Sequence, residues 1–140
     1  MSLSTQSAEA VVRAFCLAWE RRDLEAILEL MAEDVTYQNV PQPAMQGRPR
    51  ARRFIAPITR ETQSIEFVLL NLVASEAAGL VLTERVDRLH YPSGLIEIPL
   101  MGIFVVRQGR IAQWRDYADS VTVARGFEKA GVKLTLDPDE

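Results

Sequence analysis

A lone cysteine, Cys16, leaves nothing to build an internal disulfide framework, and with His90 as the sole histidine no Cys/His zinc centre can be assembled. No metal and no other cofactor is therefore expected. Long apolar runs are missing too: the best, Leu100 to Val106, falls far short of the roughly 18 residues needed to cross a bilayer and is broken by Gly102. The amino terminus has no basic stretch followed by an apolar core, so a cytoplasmic location is the expectation. No five like charges follow one another, and 16 Lys and Arg against 19 Asp and Glu leave a net charge of -3. Neither nucleic acid nor a membrane surface is an expected partner of such a chain. The one basic concentration, Arg48, Arg50, Arg52 and Arg53, reads as a solvated loop and helix face. GxGxxG, GxxxxGK[ST], GxSxG and internal repeats are all absent, which removes support for a nucleotide cofactor or a serine-hydrolase elbow.

What remains is an ordinary globular composition. The 140 residues are 48% hydrophobic and 25% charged with 7 Gly and 7 Pro, as expected of a single domain over residues 1–140. Ala8, Val11, Val12, Phe15 and Trp19 recur at helical spacing, which predicts an amphipathic helix from about Thr5 to Arg21 with Cys16 in its buried stripe. Asp23 caps a second helix carrying Leu24, Ile27, Leu28 and Met31 on one face. Val35 to Val40 alternates and is stopped by Pro41 and Pro43, a short strand with Val35, Tyr37 and Asn39 on one face. Pro49 opens a brief third helix through about Ile55, limited or kinked by Pro57.

From Ser64 the pattern is β-like. Ile65–Ser75, Leu80–His90, Leu95–Val106 and Ile111–Tyr117 are separated by short Gly-containing turns, so these neighbours pair antiparallel. A last helix, about Ser120 to Lys129, ends at Gly131, and residues from about 132 to 140 form a loose tail. Helices followed by a meander predict an α+β domain, a curved sheet wrapped around the N-terminal helices with an interior pocket.

The polar residues of the meander are unusual for a plain core. Arg85 and Asp87 share a strand face with Val81, Thr83 and Leu89, and Asp116 shares one with Trp114. Buried charges persist when paired or functional, but Arg and Asp two apart on a strand also form ordinary surface ion pairs. Glu84, Arg88 and Arg115 put charge on the opposite faces, so period-2 alternation leaves open which side is wet. His90, at a strand end, reads as a turn or surface residue. Taken one at a time, Tyr37 also fits as a cap on the core and Asn39 as a turn former.

In order along the chain, Tyr37-Gln38-Asn39, Arg85-Val86-Asp87 and Trp114-Arg115-Asp116-Tyr117 resemble the signature of the limonene-1,2-epoxide hydrolase family. The likeness runs from about Ala8 to Phe127 and takes in Gly47-Arg48 and the Ile96-Glu97-Ile98-Pro99-Leu100 strand. It implies the cone-shaped, cystatin-like fold of the nuclear transport factor 2-like and ketosteroid isomerase-like superfamily, and a homodimer paired through the outer sheet face. It implies Asp116 as general base, Asp87 as general acid, Arg85 as the bridge between them, and Tyr37 and Asn39 as holders of a water. The partners so implied are a hydrophobic small-molecule epoxide and water, and the product a vicinal diol formed without a covalent intermediate. Met31, Leu89, Ile98, Leu100 and Trp114 are the expected pocket walls. Ala118 stands where the family usually has an aromatic residue, often Phe, which implies a larger pocket. An isomerase or polyketide-cyclase-like enzyme on the same scaffold is the alternative, but it has no need of a water clamp or of an arginine between two acids. A noncatalytic small-molecule-binding module is the other, and it would tolerate loss of the Asp116 charge.

Overall fold

The computed structural model describes residues 6–133. Helix α1 (Ala8–Glu20) begins where the Ser7 side chain accepts the Ala10 N–H, and buries Val11, Val12, Phe15, Cys16 and Trp19 along one stripe. Thr5, the expected start of this helix, lies outside the described residues, as does the tail from residue 134. Asp23 caps α2 (Leu24–Glu29) through the Ala26 N–H.

The chain then enters β1 (Met31–Val40) sooner than its periodicity indicates. Met31 does not continue the helical face: the Ile111 N–H bonds to the Leu30 carbonyl at 2.8 Å, and Met31 pairs with Ile111 at the start of the sheet. A two-residue strand, β2 (Met45–Gln46), follows and pairs with Thr36 and Tyr37. Helix α3 (Arg48–Glu61) is the largest departure from expectation, since it runs through Pro57 rather than stopping near Ile55. Proline removes one backbone donor and crowds the preceding turn. That cost falls beside buried Ile58 and Thr59, and the Thr62 hydroxyl donates to the Ile58 carbonyl at 2.7 Å, closing the last turn.

Strands β3 (Ser64–Ser75), β4 (Leu80–Tyr91), β5 (Gly94–Arg107) and β6 (Arg110–Tyr117) form the expected antiparallel meander. Gly79 and Gly109 hold positive φ in the turns that join them. Helix α4 (Ser120–Ala130), capped by Asp119 and ended by left-handed Gly131, completes the architecture. The six strands lie in the order β2-β1-β6-β5-β4-β3, with β1 parallel to β6 and every other pair antiparallel, so the fold is α+β with an open mixed sheet. Among the described residues no helix is long and apolar enough to cross a membrane.

One sheet face is covered, and this decides the side that alternation left open. Phe15 and Trp19 of α1 meet Trp114 edge-on at 5.0 and 5.8 Å, and Trp19 stacks on Phe67 at 5.1 Å. Val81, Thr83, Arg85, Asp87 and Leu89 of β4 therefore point inward, as do Trp114 and Asp116 of β6. The outer face leaves Val68, Leu82, Met101 and Tyr117 largely exposed.

Candidate active site

Pairing register brings the polar residues into one cluster. Asn39 on β1 lies beside Asp116 on β6, which lies beside Gly102 on β5, which lies beside Thr83 on β4. Tyr37 pairs with Trp114 in the same manner, and their rings stack at 4.2 Å with an interplanar angle of 5°. Arg85 and Asp87 follow on β4 with Thr83, facing the same side.

Arg85 is fully buried, and Asp87 and Asp116 are each 6% exposed. The guanidinium forks onto Asp87, Nε donating to Oδ1 and Nη2 to Oδ2, both at 3.0 Å. Nη2 also donates to Asp116 Oδ2 at 3.0 Å, so one nitrogen bridges the two carboxylates. The second Asp116 oxygen accepts the Trp114 indole N–H at 2.7 Å. The Arg85 guanidinium carbon also sits over the Phe67 ring, 4.9 Å from its centroid. A planar, permanently charged group with fixed donors suits this bidentate arrangement as a lysine would not.

Two carboxylates and one guanidinium carry a net negative charge when all are ionised, and an apolar setting penalises it. Burial pushes the Asp87 carboxyl up to about 6, against the downward pull of Arg85 and with the help of Asp116. Burial likewise raises Asp116, against the pull of Arg85 and the Trp114 hydrogen bond. Burial holds the Tyr37 hydroxyl far above the usual tyrosine range, reinforced by Asp116 and opposed by a side-chain hydrogen bond with Asn39. Tyr37 is thus a neutral hydroxyl at any physiological pH, joined to the amide expected to share its task.

The cluster opens on a cavity of about 200 Å³. Leu89, Ile98, Leu100, Trp114 and Ala118, all singled out in the sequence, line it with Tyr37, Asn39, Asp87 and Asp116. Met31 does not: it is fully buried at the first position of β1, and the cavity is bounded without it. Trp19, Phe54, Ile58, Phe67, Val123 and Phe127 add walls from α1, α3, β3 and α4, a contribution that sequence reasoning missed. Their signal was present as amphipathic periodicity, which marks a cavity wall and a packed core alike. Two other residues lie outside the cavity lining, although Cys16 is near enough to Arg85, Asp87 and Asp116 to feel their charges. His90 is half-buried within β4 rather than in a turn, its Nε2 2.7 Å from Glu66 Oε1. Cys16 is buried in α1 and its thiol is pushed up to about 12, chiefly by that burial, which leaves it un-ionised.

An apolar chamber with one acid–carboxylate pair, a guanidinium bridge and a Tyr–Asn pair in line can hold a small neutral molecule, place a water beside a base and supply a proton from the other side. The chain resembles proteins of known kind over most of its length. It is 29% identical over 126 residues to epoxide hydrolase EphG of Mycobacterium tuberculosis, covering 89% of this chain and 82% of that protein. Among solved structures, an LEH-like epoxide hydrolase from M. tuberculosis superposes with a TM-score of 0.76 at 27% identity, covering 88% and 90% of the two chains. PrhC from Penicillium brasilianum superposes with a TM-score of 0.78 over 89% and 87%, but at 16% identity that likeness is one of fold. The family described as limonene-1,2-epoxide hydrolase catalytic domain matches residues 6–129, a span holding every residue of the cluster and the cavity, and to that family the chain belongs.

Proposed function

We propose that the protein hydrolyses a hydrophobic epoxide to a vicinal diol in one concerted acid–base step. The observation that carries this is the single Arg85 nitrogen donating to Asp87 and Asp116 at 3.0 Å each, inside an apolar cavity that Tyr37 and Asn39 also line. A water hydrogen-bonded by Tyr37 and Asn39 gives a proton to Asp116 as its oxygen attacks an epoxide carbon. The bond between that same carbon and the ring oxygen breaks on the side away from the water, and Asp87 gives its proton to the oxygen, which stays on the neighbouring carbon. One proton has moved onto Asp116 and one has left Asp87, so the pair is reset by a single transfer between neighbours on the same guanidinium. Asp116 is assigned as the base because it pairs with Asn39 across β1 and β6, next to the residues that hold the water, which leaves Asp87 on the other branch of Arg85 as the acid.

Diol release from a panel of epoxides tests this directly. Limonene oxide, cyclohexene oxide and a larger terpene or steroid epoxide should include at least one substrate whose product carries one oxygen from labelled water. A panel giving no diol, with the protein folded, transfers the site to an isomerase, a cyclase or a binding function.

Substrate size turns on Ala118. A dry cavity of ~150 Å³ holds one benzene ring, so the interior alone accommodates a small cyclic substrate. Ala118, Val40, Pro41 and Leu100 border both this cavity and a groove on the outer face, so the wall between them is thin at Ala118. We propose that larger epoxides extend there. Ala118→Phe should lower the rate on the large epoxide relative to cyclohexene oxide by about 10-fold, the scale on which a pocket discriminates a few carbon atoms. An unchanged ratio counts against this role.

The protein is also proposed to act as a homodimer joined through the outer sheet face, where the apolar side chains of Val68, Leu82, Met101 and Tyr117 are exposed. Sedimentation at micromolar concentration should give twice the mass of the chain, and a monomer there refutes it.

A further inference from the structure

Of the five N–H donors of Arg85, those that reach the two carboxylates come from Nε and Nη2, and Nη1 carries two more. One of them is accepted by Thr83 Oγ1 at 3.0 Å. Thr83 is 1% exposed, so this contact forms out of water's reach. Its own hydroxyl proton goes to the Gly102 carbonyl, 3.2 Å away across the β4–β5 pair. A hydroxyl has a single proton, so donation to Gly102 leaves only lone pairs facing Arg85, and the direction of the relay is fixed.

Gly102 supplies the room. It pairs with Thr83 on one side and with Asp116 on the other, in the middle of β5. A Cβ at this position would fall inside the envelope of Arg85 Nη1, 2.6 Å from Asp116 Oδ1 and 2.9 Å from Thr83 Oγ1. Its backbone is not left-handed, so the requirement for glycine is steric: the guanidinium reaches from β4 to β6 across a strip of sheet bare of side chain.

We propose that Thr83 is a positioning residue for the reaction, its hydroxyl anchored on the Gly102 carbonyl and gripping Nη1 so that Nη2 faces Asp87 and Asp116 together. The fork of Nε and Nη2 on Asp87 fixes one edge of the guanidinium. The contact on Nη1 fixes the opposite edge, so the group resists tilting away from Asp116. This assignment rests on the hydrolase reading, because Asp116 is the base whose hydrogen bond is being held.

Thr83→Val keeps the branched shape and removes the acceptor. Its kcat should fall about 10-fold, the scale of a hydrogen bond to a charged group, with KM within about twofold and the acid limb of kcat/KM moved to higher pH. Thr83→Ser should recover kcat to within about threefold, since it restores the hydroxyl alone. A Val variant with parental kcat and parental limbs, or a Ser variant as impaired as Val, overturns the proposal. Carbon-13 titration of the Asp87 and Asp116 carboxyls without substrate separates this from the hydrolase reading. The Asp116 midpoint should rise in the Val variant and stay in the Ser variant, and an unmoved midpoint rejects the role of Thr83 even where diol is formed. A panel without diol rejects the hydrolase reading and leaves this titration to decide on Thr83. If Thr83→Val does not fold, the parent decides: distinct, slowly rotating Arg85 Nη1 protons in nitrogen-15 spectra are expected, and a single averaged guanidinium signal overturns the proposal.

Discussion

Asp116→Asn should retain the fold and lose diol formation by 10² to 10⁴-fold, roughly the span that a positioned general base contributes. Asparagine has nearly the volume of aspartate, and its amide oxygen can still accept from Trp114 or Arg85, whose donors reach Asp116 at 2.7 and 3.0 Å. The cavity walls are untouched, so binding of the epoxide should change little and the loss should appear in kcat. What the amide lacks is basicity: the water held near Tyr37 and Asn39 then has no group to take its proton as it attacks. Initial rates of diol formation, measured by chromatography beside the parent, decide the matter. A variant that hydrolyses epoxide at the parental rate would remove Asp116 from the mechanism and with it the proposed chemistry.

Arg85→Met has the largest expected effect on stability. Methionine fills much of the volume but leaves Asp87 and Asp116 facing each other without the three carboxylate bonds that the guanidinium supplies. Removing one partner of a buried ionic group typically costs about 3–5 kcal/mol, a large part of the total stability of a domain this size. The loss should depend on pH, and its sign follows from linkage. A carboxyl whose folded value is raised adds stability that is fully present below its unfolded value and is lost as pH rises through the folded one. Asp87 is already up at about 6 with Arg85 in place, and without that downward pull it rises further. The deficit of the variant against the parent should therefore be small near pH 4 and grow through and beyond pH 6. Melting temperatures of both proteins from pH 4 to 8 measure it. A deficit independent of pH would mean that Arg85 contributes packing rather than charge compensation.

The sheet was legible in the sequence because its punctuation is local. Turns around Gly79, Gly94 and Gly109 delimit strands whose ends fall within a residue or two of expectation. The inward face was not legible, because Glu84, Arg88 and Arg115 balance Arg85, Asp87 and Asp116 across it. Only the tertiary contact of Phe15 and Trp19 with Trp114 settles the side. Met31 and Pro57 misled for the same reason: a backbone bond from Ile111 and the burial of Ile58 are long-range effects that override local preference. The five polar residues proposed for the site were singled out through resemblance, and the structure brings them together. Thr83 and Gly102 carried no signal of their own, since a threonine within a strand and a glycine interrupting an apolar run are both unremarkable until the guanidinium is seen lying across them.

The parallel pairing of β1 with β6 joins the first strand to the last. Tyr37 and Asn39 come from one side of α3, whereas Arg85, Asp87 and Asp116 all come from the meander on the other. A chain divided between α3 and β3 therefore gives two fragments, each holding part of the apparatus and neither the whole. The proposed hydrolysis would read out reassembly, and the break between α3 and β3 is the natural place to divide the chain into a fragment-complementation pair.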